Sequence, residues 1–196
     1  MSDDPLVKQD NASTPLSPEE QEGLIPSYIT LRSELNEAEQ ANILDAEEWA
    51  FNRKRDVLSE KFLTTLHKRM FGRVWKWAGT YRRTGKNIGV DAYRIPMELR
   101  QLLDDVRFWI ENDTYPSDEL AARFHHRLVW IHLFPNGNGR HARTATDLLL
   151  VTLGQAPFTW GRKNLVDANQ TRQTYVDTLR AADHHDYEPL LNFVRA

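Results

Sequence analysis

The chain has 196 residues, of which 40% are hydrophobic and 27% are charged, proportions typical of a globular protein with one sizeable core. Its formal net charge of −3 disfavours direct nucleic-acid binding through a broad basic surface. The absence of cysteine excludes disulfides, zinc–thiolate sites and thiol nucleophiles. No apolar run approaches the roughly 20 residues that cross a bilayer, and residues 1–15 do not resemble a signal peptide. We therefore expect a cytoplasmic protein without a membrane partner.

The N-terminal part divides into two regions. Residues 1–22 are rich in Ser, Thr, Pro, Asp and Glu and are predicted to form a flexible leader. Residues 23–44 have a helical pattern, in which Ser33 is placed to cap a helix over residues 34–43. An acidic residue in the first turn, Glu34, supports that assignment.

Helices are predicted for most of the remaining chain. Apolar residues recur at helical spacing from Ser59 to Phe71, and Gly72 follows as a C-cap. Pro96 suits the first turn of a helix that reaches about Asn112. Further helices are predicted over residues 118–131, with Ser117 as N-cap, and over residues 139–153, 167–182 and 187–194.

The segment Tyr81–Val90 is the one good candidate for a β-hairpin. It contains Gly85 and Gly89 among residues that favour strands. The predicted architecture is therefore all-α, a helical bundle with one small β-hairpin.

The run His132-Leu-Phe-Pro-Asn-Gly-Asn-Gly-Arg-His-Ala-Arg143 lies between two predicted helices. A glycine-rich loop that opens a helix is a natural anion site, because free backbone N–H groups and the positive end of the helix dipole point at the ligand. Arg140 and Arg143 are three residues apart and share one face of that helix, so they can hold a polyphosphate together. His132 carries a group that ordinarily titrates near neutral pH. This run predicts chemistry on a phosphate.

The pattern His-x-Phe-x-x-Gly-Asn-Gly-Arg-x-x-Arg resembles the signature of the Fic domain family, within the Fic/Doc superfamily. The segment Phe71–Arg82 is similar to the family's approach to its flap hairpin, and Arg172-x-x-Tyr175 to a later helix. The resemblance covers roughly residues 45–195, and residues 45–196 are therefore predicted to be the Fic domain. It implies a Fic-type helical bundle with a β-hairpin flap and an adenylyltransferase that moves AMP from ATP to a Tyr, Thr or Ser hydroxyl of a target protein.

The resemblance also implies a role for each residue of the signature. His132 would be the general base that accepts the hydroxyl proton. Arg140 and Arg143 would bind the β- and γ-phosphates of ATP. The remaining nucleotide-binding residues would be Asn136, Gly137, Asn138, Gly139 and Tyr175.

Position 136 departs from the family pattern. Family members usually carry Asp or Glu there and use the carboxylate to hold Mg²⁺ between the nucleotide phosphates. Asn136 supplies an amide oxygen, which can coordinate a hard cation but adds no charge. We therefore expect a weaker magnesium site at Asn136, with the nucleotide supplying most of the ligands.

Two further roles follow from the resemblance. Fic proteins are commonly inhibited by a helix that carries Ser/Thr-x-x-x-Glu-Gly/Asn. The segment that contains Ser33 and Glu37 is similar but ends in Ala38, and Glu22-Gly23 is a second, less favoured candidate. Ile88 would be the apolar contact between the flap and the target side chain.

The Pro135-Asn136 variant, with Trp160-Gly161 and the segment ending at Pro26, most resembles the branch called mobile mystery protein B. That branch implies a small helix-turn-helix companion protein and a mobile genetic element. Two other functions stay open: a phosphotransferase of the related Doc type, and a nucleotide-binding regulatory protein without catalysis. The glycine before Arg140 favours AMP transfer over the Doc type.

Overall fold

Helices supply almost all of the regular structure in the computed structural model, which describes residues 16–161 and 168–196. Within these ranges the one β-type pairing is an antiparallel bridge between Leu24 and Trp75, and no described helix has the length and apolar character needed to cross a membrane. The all-α prediction is confirmed. The helices are α1 (Pro18–Gln21), α2 (Arg32–Phe51), α3 (Glu60–Phe71), α4 (Ile95–Glu111), α5 (Ser117–Ile131), α6 (Asn138–Thr152), α7 (Ala168–Asp183) and α8 (Glu188–Arg195).

Several helix ends follow the predicted capping chemistry. Ser59 caps α3 by accepting a hydrogen bond from the Phe62 N–H at 3.2 Å, and Gly72 ends that helix. Pro96 lies in the first turn of α4. The chain leaves α6 through Gly154, whose φ of +76° is in the left-handed region that favours glycine.

Two N-caps differ from the prediction. Helix α2 begins at Arg32, so Ser33 lies inside the first turn and does not cap it. The carboxylate of Glu34 accepts from the backbone N–H groups of Thr30 at 2.8 Å and Leu31 at 3.0 Å, which is the half of a capping box that the third helical residue supplies. Helix α5 likewise begins at Ser117 itself, one residue earlier than predicted.

The predicted leader contains a helical turn. Residues 16–22, the described part of it, include α1, which Ser17 and Glu20 close with reciprocal side-chain hydrogen bonds to each other's backbone N–H. The chain that follows is fixed to residues after α3, because Lys76 N donates to Gly23 O at 2.9 Å and Ile25 N donates to Val74 O at 2.8 Å. The N-terminal segment is therefore attached to the domain.

The predicted hairpin over residues 81–90 is not formed, because the segment contains no paired strand. The guanidinium group of Arg82 instead binds the carbonyl oxygens of Thr84 and Val90, which a strand ladder would otherwise use. Residues 87–89 are exposed, so the segment has no apolar face that pairing would bury. One buried arginine thus replaces the hydrogen bonds of a hairpin.

Helices α5 and α6 form the centre of the domain. They pack against each other, with α4 and α8 against α5 and with α2 and α3 against α6. Phe124, Ile131 and Phe134 are fully buried in the main core. A second apolar cluster, which includes Trp160 and Tyr175, lies against the other side of the pair. The loop between α5 and α6 is therefore held between two packed layers.

Candidate active site

His132 lies at the point where α5 ends. Its φ of +57° is left-handed, a conformation that costs energy for a residue with a side chain and persists where the surroundings enforce it. The residue is only 4% exposed. Burial, and next the positive charges of Arg82 and Lys86, lower the pKa of His132 from 6.5 to about 4. At neutral pH the imidazole is therefore uncharged and able to accept a proton.

Arg82 fixes the backbone on which His132 is carried. Its Nε donates to the His132 carbonyl oxygen at 2.6 Å, and its Nη2 approaches the Ile131 carbonyl oxygen at 3.4 Å. Its backbone N–H donates to the Leu133 carbonyl oxygen at 3.0 Å. These carbonyls at the end of α5 have no partner within the helix, so Arg82 supplies the missing donors. The sequence identified Arg82 as part of the family resemblance, but gave it no role in holding the histidine.

Asn138 closes the loop that follows His132. Its Oδ1 accepts from the Phe134 N–H at 2.9 Å and its Nδ2 donates to the Phe134 carbonyl oxygen at 2.8 Å. The side chain is thus committed to the loop itself, and its contribution to an anion site comes through the backbone. Phe134 is fully buried and anchors the loop in the core.

His67 connects helix α3 to the same loop. It is fully buried, and its ring stacks on Phe134 with centroids 3.7 Å apart. Its Nδ1 accepts from the Gly79 N–H and its Nε2 donates to the Asn136 carbonyl oxygen, each at 3.0 Å. Burial lowers the pKa of His67 well below its ordinary value, so the ring is neutral. Its place within the apolar stripe of α3 was the available sequence signal for this role.

The glycines form the turn into helix α6. Gly137 has a φ of +79°, and a Cβ added there would lie 2.6 Å from the Phe71 ring, so only glycine fits. Its N–H donates to Asn136 Oδ1 at 2.6 Å. Gly139 is more open, because the nearest atom to an added Cβ would be the Tyr175 hydroxyl at 3.9 Å. A side chain at position 139 would therefore meet no close contact, whereas position 137 has no room for one.

Arg140 is paired with a glutamate of helix α2. Its Nη1 lies 2.7 Å from Oε2 of Glu39, whose Oε1 accepts from Trp75 Nε1 at 2.6 Å. Glu39 is 5% exposed, whereas Glu37 and Ser33, the predicted regulatory residues, are exposed. Two residues correspond to about 200° around a helix, so Glu37 and Glu39 point in nearly opposite directions. The structure therefore brings Glu39, and not Glu37, to Arg140.

Arg143 lies against two aromatic rings of the second core cluster. Its guanidinium carbon is 4.4 Å from the centroid of Tyr175 and 5.7 Å from that of Trp160. The Tyr175 hydroxyl also hydrogen-bonds His125 Nε2 at 2.8 Å, and burial raises the pKa of Tyr175. Within the described residues, the buried Nε of Arg143 has no hydrogen-bond partner. Tyr175 thus packs against the guanidinium group of Arg143 and fixes its position.

The remaining predicted residues lie at the edge of this arrangement. Ile88 is 50% exposed on the segment beside His132. Asn136 is half-buried, and its amide oxygen already accepts the Gly137 N–H. Within residues 16–161 and 168–196, no group of three or more His, Cys, Asp or Glu side chains has a geometry that could hold a metal ion. The donors present do not by themselves form a magnesium site.

Comparison with known protein families identifies the loop and its surroundings. The model of the Fic/DOC family matches residues 57–150. The chain is 30% identical over 146 residues to the protein adenylyltransferase Fic of Culex quinquefasciatus, and 28% identical over 145 residues to that of Aedes aegypti. Each alignment covers 72% of this chain but 28% of the relative. The chain therefore spans less than a third of the length of these relatives.

Solved structures share the fold. One is BepC, a VirB-translocated effector protein of Bartonella tribocorum with bound AMPPNP, at a TM-score of 0.68 and 16% identity, covering 91% of this chain and 97% of that one. Another is the N-terminal Fic domain of a VirB-translocated Bep effector protein of Bartonella quintana with bound ADP. It has a TM-score of 0.68 and 19% identity and covers 86% of each chain.

Proposed function

Residues 57–150 form a Fic/DOC family domain, and on that premise we propose that this chain transfers AMP from ATP to a hydroxyl group of a target protein. The observation that carries the proposal is the environment of His132, a buried and uncharged imidazole at the start of the glycine-rich turn into α6. A neutral imidazole is the form that accepts a proton. The relatives named protein adenylyltransferase support the same reaction.

The bonds formed and broken in this reaction, and the proton it releases, can be accounted for with groups of this chain and the nucleotide. The target hydroxyl oxygen forms a bond to the α-phosphorus of ATP as its proton passes to His132, and the bond from that phosphorus to the bridging oxygen breaks, releasing pyrophosphate. The N–H groups at the start of α6 stabilise the charge on the phosphates, because they are fixed donors that need no reorganisation. Arg143, which is only partly buried, then holds the distal phosphates through its guanidinium N–H donors.

A magnesium ion would bind mainly through the nucleotide. Family members carry an acid at the position of Asn136. The amide oxygen of Asn136 is neutral and already accepts a hydrogen bond from the Gly137 N–H. The ion would neutralise phosphate charge, and no step of the proposed reaction depends on a protein carboxylate that holds it. Replacing Asn136 by Asp should strengthen the dependence of ATP binding on Mg²⁺.

We further propose that the chain is self-inhibited through Glu39. Its carboxylate occupies Arg140, one of the two arginines expected to bind the nucleotide phosphates, and it does so from a buried position. A phosphate group and Glu39 would compete for the same guanidinium group, because both are anions that need its donors. Glu37 lies on the exposed side of α2 and serves as a matched control.

One experiment tests the transfer and its inhibition. The protein is incubated in a bacterial lysate with ATP labelled on the α-phosphate and Mg²⁺, and labelled proteins are counted for the wild type and for three variants. We expect no label with His132→Ala, a rise of about tenfold with Glu39→Gln, and no change with Glu37→Gln. Equal labelling by wild type and His132→Ala would exclude His132 as the base. Label that enters proteins only from γ-labelled ATP would assign a phosphotransferase.

The resemblance of Pro135-Asn136 and Trp160-Gly161 also leads us to propose a place in the mobile mystery protein B branch, with a small helix-turn-helix protein as companion. Co-expression with the helix-turn-helix protein encoded beside this chain tests the proposal. Recovery of a complex on size-exclusion chromatography is expected, and two separate peaks would contradict it.

A further inference from the structure

A buried chain of hydrogen bonds lies behind Arg143, where helix α6 meets the second core cluster. The Tyr175 ring, which contacts the Arg143 guanidinium group, is joined through its hydroxyl to His125 Nε2 at 2.8 Å. His125 Nδ1 lies 3.4 Å from the Thr146 hydroxyl oxygen. His125 and Thr146 are fully buried, and Tyr175 is 7% exposed. His125 belongs to helix α5 and lies outside the signature run, so the transfer reaction gives it no role of its own.

The direction of each hydrogen bond in this chain follows from the number of protons available. Burial, and next the charge of Arg143, lower the pKa of His125 from 6.5 to about 3, so the imidazole is neutral and carries one N–H. The Thr146 hydroxyl donates its single proton to the Ala142 carbonyl oxygen at 2.7 Å. It therefore accepts from His125 Nδ1, which assigns the ring proton to that nitrogen and leaves Nε2 as an acceptor. The Tyr175 hydroxyl is then the donor to His125.

This bond fixes the ring on which Arg143 lies. The guanidinium carbon is 4.4 Å from the centroid of the Tyr175 ring, a cation–π contact whose strength depends on the placement of the ring. A phenol that donates a hydrogen bond also becomes richer in electron density on its ring, which strengthens its attraction for a cation. The Tyr175 hydroxyl lies beside the glycine-rich turn as well, because a Cβ added at Gly139 would be 3.9 Å from it. The anchored ring thus borders both the start of α6 and Arg143.

The adjacent histidine has different partners. His126 Nε2 bonds Asp183 Oδ1 at 2.8 Å, and its Nδ1 lies 3.2 Å from the Tyr187 hydroxyl. Successive residues of a helix point about 100° apart, which is why two neighbouring buried histidines reach different parts of the domain. His126 therefore provides a matched control for His125, with a similar cost of substitution to the fold and no contact with the ring beneath Arg143.

We propose that His125 is a positioning residue for nucleotide binding, which holds Tyr175 so that Arg143 meets the phosphates beyond the α-phosphate. His125 itself touches no substrate. It acts through the Tyr175 hydroxyl, and the guanidinium group loses its fixed support when that hydroxyl loses its acceptor. The inference rests on the proposed function, in which Arg143 holds the distal phosphates of ATP. The consequence is a loss of affinity confined to nucleotides that carry those phosphates.

Nucleotide titration tests the proposal without needing the transfer reaction. Isothermal titration calorimetry with Mg²⁺ measures the binding of AMPPNP, which carries distal phosphates, and of AMP, which does not. We expect His125→Met to weaken AMPPNP binding about tenfold, as for the loss of one oriented cation contact, and to leave AMP binding unchanged. His125→Gln has a similar shape and an amide oxygen that can accept from the Tyr175 hydroxyl, so it should bind both nucleotides nearly as the wild type does. His126→Met should keep the wild-type ratio of the two affinities.

A double variant separates positioning from folding. Tyr175→Phe keeps the ring and removes the hydroxyl, which leaves His125 Nε2 without a donor in a buried place, so urea unfolding should show a loss of stability. With His125→Met added, both partners are apolar, and most of that stability should return. AMPPNP binding should stay weak in each single variant and in the double variant, because the ring has lost its anchor in all three.

Three results would overturn the proposal. An equal loss of AMPPNP and AMP affinity in His125→Met would show that the residue supports only the fold. Recovery of AMPPNP affinity together with stability in the double variant would lead to the same conclusion. Equal AMPPNP affinity of the wild type and His125→Met would exclude any effect on Arg143. If the selective loss is found while the wild type transfers no AMP to protein, the role of His125 stands and the proposed function alone is wrong.

Discussion

Replacing Arg82 by methionine should unfold the region around His132 and remove activity. The guanidinium group binds the carbonyl oxygens of Thr84 at 2.9 Å and His132 at 2.6 Å, and also that of Val90. Arg82 is 2% exposed, so water reaches these acceptors poorly once the donors are gone. Methionine fills a similar volume but donates nothing.

The magnitude follows from the number of acceptors left without a donor. A buried polar group that loses its partner costs about 1–3 kcal/mol; besides the more distant Ile131 carbonyl at 3.4 Å, three carbonyls lose a close donor, one of them partly reached by solvent. We therefore expect Arg82→Met to lower the free energy of unfolding by about 4 kcal/mol. The free energy of unfolding of Arg82→Lys should lie between those of the wild type and Arg82→Met. A single ammonium group cannot reach all three close acceptors, as the forked guanidinium group of arginine does.

Urea unfolding followed by tryptophan fluorescence measures the loss, and Arg83→Met is the matched control. Arg83 is the adjacent residue, has the same charge and is exposed, so its replacement should change stability by less than about 0.5 kcal/mol. In Arg82→Lys, the variant that still folds, kcat for AMP transfer should fall more than KM for ATP rises, because the nucleotide contacts of α6 remain. Equal stability of Arg82→Met and Arg83→Met would refute the reasoning.

Three other perturbations test the same arrangement. Gly89→Ala should cost at least about 2 kcal/mol, since φ is +97° and the new Cβ would lie 2.5 Å from His132 Cβ. Gly85→Ala, with nothing within 4 Å, should be nearly neutral on the same urea curves. His67→Phe keeps the buried ring but removes both backbone hydrogen bonds, so a thermal melt should show a loss of about 2–4 kcal/mol; an unchanged melt would contradict that role. Burial lowers the pKa of His141 to about 4. The contribution of the neutral His141 to the free energy of unfolding is therefore complete above pH 6.5 and is lost as the pH falls toward 4. His141 should contribute roughly 3 kcal/mol to the decline of the unfolding free energy over that window, in addition to the other buried histidines whose pKa is lowered, and His141→Asn should make the decline shallower by that share.

The sequence could predict what depends on local chemistry. The helices from α3 onward followed from apolar spacing, and the cap at Ser59 and the stop at Gly72 were read from residue types that act within one turn. The loop from His132 to Gly137 was predicted to be an anion site because its glycines and the helix after it are neighbours in the chain, and it stays a prediction. For these helices and for the ends of α3, the structure agrees closely with the prediction.

The sequence did not predict interactions that join distant parts of the chain. The prediction of a hairpin over residues 81–90 was wrong, because the Arg82 side chain binds carbonyl oxygens that strand pairing would have used. Glu37 was favoured over Glu39 by a short motif, although the buried positions of α2, Leu35, Glu39 and Asn42, recur at helical spacing. That spacing indicated which glutamate faces the domain, but not that it meets Arg140.

By itself, the sequence determined the helical architecture, the loop and the family resemblance, because periodicity, glycines and the motif are properties of neighbouring residues. Only the tertiary structure decided which charges meet. The pairs Glu39–Arg140 and Glu20–Lys86 join residues far apart in the chain, and their pairing depends on the packing of whole helices and segments. The same packing buries His132 and lowers its pKa, so the fold that surrounds the motif sets the chemistry of the proposed base.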